Sequence, residues 1–131
     1  MIGLDSNLLI RYFVKDDPAQ TRIAVNLIHS LSPSDPGWVG LVVLAELVWV
    51  LNRIYKLKKR EIAAILAKLL ASKEVVVEQN EMAHVALQLY LAGGADFADC
   101  LIALSARAAD CSRIVTFDRK AARDTGMELL E

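Results

Sequence analysis

The chain predicts an α/β fold of three layers, with helices on both faces of a mostly parallel central sheet of four to five strands. Three observations carry that reading. Short apolar runs of strand length alternate with longer segments in which apolar residues recur at helical spacing, the order that produces parallel strands joined by helical crossovers. No linker, internal repeat or low-complexity stretch interrupts the 131 residues. That length fills one domain, residues 1–131, and is too short for two ordinary ones.

Taken in order, MIGLD (1–5) is the opening strand, and SNLLIRYFV (6–14) repeats Leu8, Leu9, Tyr12 and Phe13 at helical spacing. DDPAQ supplies an Asp cap and places Pro18 in the first turn of a second helix that runs to about Ser30. SPSDPG is a loop, Trp38–Leu41 a short strand, and VVLAELVWVLNRIYK (42–56) a helix by its length, despite its β-branched residues. KKREIAAILAKLLAS (58–72) is an amphipathic helix and EVVVE (74–78) a strand. NEMAHVALQLYLAGG (80–94) is a helix that starts on Asn80 and stops at Gly93 and Gly94. The apolar stretch 93–106 is the next helix, RIVTFD (113–118) a strand, RKAARDTG (119–126) a short helix ending at Gly126, and MELLE (127–131) a final edge strand.

A formal net charge of −1 excludes a wholesale basic coat for nucleic acid and leaves only local patches. Two cysteines and two histidines are too few for a zinc site or a disulfide framework, and a reducing cytoplasm fits. MIGLDSN lacks the features of a secretory signal, and the longest weakly charged run, Pro36–Asn52, is a poor membrane span with Glu46 in its middle. A hydrophobic share of 55% exceeds what so small a domain buries, which predicts apolar surface covered by a second copy or a partner.

In parallel sheets ligands bind beyond the carboxyl ends of the strands, where Asp5 and Asp118 fall. Glu46 has Val42, Val43, Trp49 and Val50 three and four residues away, so its helical face is expected to be buried. Asp99 has Ala95, Ile102 and Ala103 at the same offsets, with Asp96 one turn earlier, on a helix expected to pack inside the domain. Burying an unpaired carboxylate costs several kcal/mol against a total stability of about 5–15 kcal/mol. No Lys or Arg lies within a turn of Glu46, and only Arg107 neighbours Asp99 on its helix. A shared divalent cation compensates all of these acids at once, and an oxygen-only ligand set suits Mg²⁺ or Mn²⁺. Asp5, Glu46, Asp99 and Asp118, with Asp96 close by, are therefore expected to converge on a hard metal that activates water and neutralises charge on a phosphate. Without the ion, at least one of them titrates above the ordinary carboxylate range. Spacing leaves open whether Asp96 or Asp99 touches the metal, because residues three apart share a face.

These residues resemble the PIN-domain nucleases, and among them the VapC-type toxins of bacterial and archaeal toxin-antitoxin pairs, over nearly the whole chain. MIGLDSNLLIRYF is similar to the family's opening strand and Asp-Ser/Thr-Asn motif, LAEL to the helix carrying its second acid, DFADCLIALSA to its third-acid helix, and VTFDRKA to the strand end bearing the last acid. The resemblance implies one PIN-like domain in which Asp5, Glu46, Asp99 and Asp118 are catalytic and metal-binding. Asp96 is an additional acid of part of the family, and Asn7 and Thr116 are supporting polar residues. It further implies a Mg²⁺- or Mn²⁺-dependent endoribonuclease acting on structured RNA such as transfer or ribosomal RNA, a homodimer, and an antitoxin protein whose C-terminal segment occupies the active-site groove.

Plainer roles stand beside these. Asp5 and Asp118 each precede a helix and suit ordinary N-caps; Glu46 can pair with a distant arginine, and Asp99 with Arg107 or Arg113. Four such coincidences are harder to explain than one shared site. The basic run RIYKLKKR (53–60) is by default a solvated helix end and otherwise a phosphate-contacting edge, whereas Arg119, Lys120 and Arg123, just after Asp118, are better placed to touch RNA. His29 and His84 read as surface residues, so no His acid-base pair is present to make a cyclic phosphate, and hydrolysis is expected to leave a 5′-phosphate and a 3′-hydroxyl. The spacing of Trp38, Trp49, Tyr12 and Phe13 favours core or dimer interface over base stacking. The alternatives are a PIN-fold nuclease with a housekeeping RNA-processing role, a phosphoacceptor signalling domain and a non-catalytic binding module. The second expects paired acids directly after the first strand, but Asp16 and Asp17 come a helix later, and the intact acids count against the third.

Overall fold

Three aspartates end extended segments and start helices by accepting a backbone N–H: Asp5 from Ser6, Asp17 from Gln20, and Asp118 from Lys120 and Ala121. Pro18 follows Asp17, where its missing N–H is no loss. The computed structural model describes residues 1–131 and runs β1 (Ile2–Gly3), α1 (Ser6–Val14), α2 (Pro18–Ser30), β2 (Gly37–Val39), α3 (Leu41–Arg53), α4 (Lys59–Ala71), β3 (Val75–Val77), α5 (Asn80–Ala92), α6 (Phe97–Ala108), β4 (Val115–Thr116), α7 (Arg119–Thr125) and β5 (Glu128–Leu129). Every strand pair is parallel, as the alternation predicted. No helix is long and apolar enough to cross a membrane.

The chain gathers into two compact units, Met1–Asn80 and Glu81–Glu131. In the first, the strands lie in the order β1-β2-β3, with Ile2 opposite Gly37 and Trp38 opposite Val76. Leu9, Val39, Leu44, Leu47, Leu51, Ile62 and Leu66 are fully buried, each contributing roughly 1.5–3 kcal/mol of apolar transfer free energy. At the start of α3, Gly40 has no side chain to act as a cap, and Glu78, just beyond β3, accepts the Leu41 N–H at 2.9 Å in its place. Past the other end of α3, the Tyr55 hydroxyl donates to Asp16 at 2.8 Å and accepts from Arg11 at 3.0 Å, while Arg11 also donates to Asp16 at 3.0 Å and to Gln20 at 2.6 Å. This network ties α1, the turn before α2 and the exit of α3 together. The Tyr55 bond and the Arg11 charge hold the Asp16 carboxyl below its ordinary value.

In the second unit, β4 pairs with β5, Val115 opposite Glu128 and Thr116 opposite Leu129. Ala103, Ala121 and Met127 are buried together with Ile114 packed on them, and Tyr90 meets Phe97 edge to face at 5.9 Å. Arg113 grips Glu128 through two bonds of 2.9 and 2.7 Å, and Arg107 donates to the Thr125 carbonyl. Gly126 ends α7 with a left-handed φ of 80°, a conformation that costs residues with a Cβ about 1–2 kcal/mol.

The helices fall close to where the sequence put them, but the strands are shorter, two or three residues each, and pair as a three-stranded and a two-stranded ladder. Helix caps account for the trimming: Asp5 belongs to α1, and Leu41 joins α3 because Glu78 caps it. α3 also ends at Arg53, short of the expected Lys56, whose φ of 57° is left-handed.

Candidate active site

Three of the expected acids belong to the second unit. Asp96 is the N-cap of α6, yet its side chain makes no capping bond. Asp99 sits in the first turn of α6, partly buried. Asp118 caps α7, its Oδ1 accepting the Lys120 and Ala121 N–H groups at 2.9 and 3.1 Å. The Asp118 N–H in turn donates to Thr116 Oγ1 at 3.0 Å, which pins the turn between β4 and α7.

Burial, followed by repulsion from Asp96 and then Asp118, raises the Asp99 carboxyl above its ordinary value, and a backbone hydrogen bond from Asp96 opposes the shift only in part. No arginine answers this crowding. Arg107 is taken by the Thr125 carbonyl, Arg113 by Glu128, and Arg123 by Asp124 at 3.0 Å. The pairing of Asp99 with Arg107 or Arg113, open on sequence grounds, does not occur. Nor is α6 enclosed on all sides: Phe97, Cys100, Leu101 and Ala103 are buried, but Ile102 is exposed.

The acids of α6 and α7 are held on one frame by a side chain that the sequence did not single out. Asp124 accepts the Gly94 N–H at 2.6 Å, so the loop leading into Asp96 rests on the helix that follows Asp118. A Cβ on Gly93 would lie 3.0 Å from Asp124 Cβ and Cγ, which explains why a glycine stands there. The Gly93-Gly94 pair was the available signal, and it reads equally well as a helix stop.

In the first unit, Asp5 Oδ1 accepts the Ser6 N–H at 2.8 Å, and Asn7 Nδ2 reaches Asp5 Oδ2 at 3.5 Å. Asn7 also lines a cavity of about 340 Å³ with Leu8, Arg11, Gln20, Ile23 and Ala24. Glu46 is exposed, against the expectation of a buried face. α3 is apolar all round, so periodicity offers no contrast; its inward side is Leu44, Leu47, Val48 and Leu51, while Val42 and Trp49 are 73% and 58% exposed beside Glu46. Trp49 is therefore not core, Trp38 is also exposed, and Tyr12 and Phe13 are partly buried edge to face at 5.0 Å. His29 and His84 lie on the surface as expected.

No group of three or more His, Cys, Asp or Glu side chains is drawn up as a ready-made metal site. The ligand type in the second unit is nonetheless that of a hard divalent cation: the carboxylates of Asp96, Asp99 and Asp118, of which Asp99 is raised by burial and then by the charge of the other two. Asp5 and Asp118 both serve as N-caps, each engaging Oδ1 in the cap, so capping and ligation through Oδ2 are compatible. Arg119, Lys120 and Arg123 are exposed, and of the three only Arg123 is held by an acid.

Among models of known protein families, one described as PIN domain matches residues 2–125. No curated protein matches the chain.

Proposed function

The chain belongs to the PIN domain family, generally metal-dependent nucleases of three-layer α/β/α fold, and from that premise we propose that it is an endoribonuclease of the cytoplasm that cleaves structured RNA, transfer or ribosomal. In this reading Asp5, Glu46, Asp99 and Asp118, with Asp96, hold Mg²⁺ or Mn²⁺. The observation that carries it is Asp99, partly buried, crowded by Asp96 and Asp118 and matched by no cationic side chain. A bound ion supplies Lewis acidity and offsets charge developing on the phosphate. The chain's own groups do the positioning. Asn7 reaches Asp5 at 3.5 Å and Thr116 accepts the Asp118 backbone N–H, which supports positioning roles for both, and Arg119, Lys120 and Arg123 offer charge to the phosphates on either side of the scissile one.

We further read it as the toxin of a VapBC-type pair, a homodimer neutralised by an antitoxin protein. Exposed Val42, Trp49 and Ile54 support an apolar surface that a second chain covers.

The test incubates purified protein with total RNA in Mg²⁺, in Mn²⁺ or in excess chelator, beside Asp5→Ala and Asp99→Ala. Metal-dependent cleavage leaving 5′-phosphate ends, abolished by both substitutions while the circular dichroism spectrum is kept, is the expected result. Cleavage that survives the chelator, or is equal in the variants, removes the assignment. Growth arrest on induced expression, absent with Asp99→Ala, supports the toxin role, and unaffected growth removes it without touching the nuclease.

A further inference from the structure

Phe117 is the most exposed large apolar side chain of the protein, at 80%. A free phenyl ring on a surface is unremarked when its backbone is loose, but this one stands on a turn fixed from both sides. Thr116 Oγ1 accepts the N–H of Asp118, and Asp118 Oδ1 accepts those of Lys120 and Ala121. The ring is thus presented by a rigid backbone, directly before a catalytic acid and directly before Arg119 and Lys120, two exposed cations that form no ion pair within the chain. An aromatic face beside unpaired positive charge is the combination that binds unpaired nucleotides, the ring stacking on a base while the cations meet the phosphates. A protein-protein contact is the rival occupant, and two exposed cations that form no ion pair, beside the ring, favour a polyanion over it.

Resting on the ribonuclease reading, we propose that Phe117 is the stacking platform for an unpaired base of the RNA next to the phosphate engaged at Asp118, so that the enzyme selects sites where a base is free to leave its helix. Phe117 is a specificity-determining residue, and its contact is indifferent to which base stacks, since every base has a π-face.

The experiment measures binding of the full chain to a short fluorescein-labelled single-stranded RNA by anisotropy in chelator, over a salt series, for wild type, Phe117→Ala, Phe117→Leu, Phe117→Trp and Lys120→Ala. Phe117→Ala is expected to weaken binding about tenfold or more, Phe117→Leu to recover little of it, and Phe117→Trp to match or exceed wild type. The Phe117 variants keep the wild-type salt slope, whereas Lys120→Ala lowers it by about 0.7. Because the ring is exposed, the melting temperature of Phe117→Ala matches wild type, and light scattering finds the same oligomer. Equal affinity for wild type and Phe117→Ala, full activity of leucine as a substitute, a wild type that does not bind the RNA, or a changed oligomeric state overturns the stacking role. Wild-type cleavage with metal, alongside unchanged binding by Phe117→Ala, removes this proposal alone. Stacking-dependent binding without any cleavage removes the nuclease reading alone.

Discussion

A carboxyl whose folded pKa lies above its unfolded one binds more protons in the folded chain, so stability falls as pH rises through that interval and the deficit persists above it. Asp99 is such a group, raised from an ordinary 3.8 by burial and by Asp96 and Asp118. Replacing it by Asn in chelator at neutral pH is therefore expected to raise the free energy of unfolding, by at most about 1 kcal/mol because water still screens the partly exposed group. The gain shrinks as the pH falls through the raised folded value and is gone below 3.8, where the carboxyl is protonated in the folded and the unfolded chain alike. With saturating Mg²⁺ the order reverses, since only wild type gains ligand-linked stability. Thermal melts at neutral and acid pH, with and without metal, check all three signs, and an Asn variant less stable than wild type in chelator contradicts them. At this scale the sequence was informative. Two acids three residues apart in an apolar helix announced a crowded carboxylate, although only the coordinates distinguish the solvent-facing N-cap Asp96 from the partly buried Asp99.

Helices carry these acids; Asp5, Asp96 and Asp118 stand at the starts of their own helices, but the start of the helix bearing Glu46 is set by a group far away in the chain. Glu78 lies 37 residues from the Leu41 N–H it accepts, so no local pattern announced it. Glu78→Ala removes the cap of the helix bearing Glu46 and is expected to cost about 1 kcal/mol and to lower metal-dependent cleavage, whereas Glu78→Gln, which keeps an acceptor oxygen, loses less of both. Equal activity for the two variants separates the cap from the site. Gly126 was legible as a helix stop, but not the reason it resists change. With φ at 80° and an added Cβ 2.7 Å from Arg107 Nη2, Gly126→Ala is expected to destabilise by about 1–2 kcal/mol. A denaturant titration of Gly126→Ala with and without Arg107→Ala checks it, the double variant costing less than the sum.

Across the molecule, two exposed carboxyls are held below their ordinary values by their partners. Asp16 is lowered from 3.8, first by the Tyr55 hydroxyl bond, and Glu128 from 4.5, first by its hydrogen bond from Arg113. Depressed carboxyls stabilise the fold above their unfolded values and lose that contribution as pH falls through the folded ones, the opposite sign to Asp99. Tyr55→Phe is expected to be less stable than wild type at neutral pH, with a gap that narrows below 3.8; urea midpoints against pH measure it, and a pH-independent gap means that the hydroxyl acts only through packing. Fold class and helix order were readable because local periodicity encodes them. The distribution of the strands over two ladders was not, because runs of two or three residues carry too little pattern to specify a partner, and their ends are trimmed by caps, one of them, Glu78, remote in the chain.

No strand exceeds three residues, so the open rims of both ladders offer an incoming chain only a handful of amides and carbonyls. Fibril growth by edge-to-edge templating finds little backbone to extend from in strands this short.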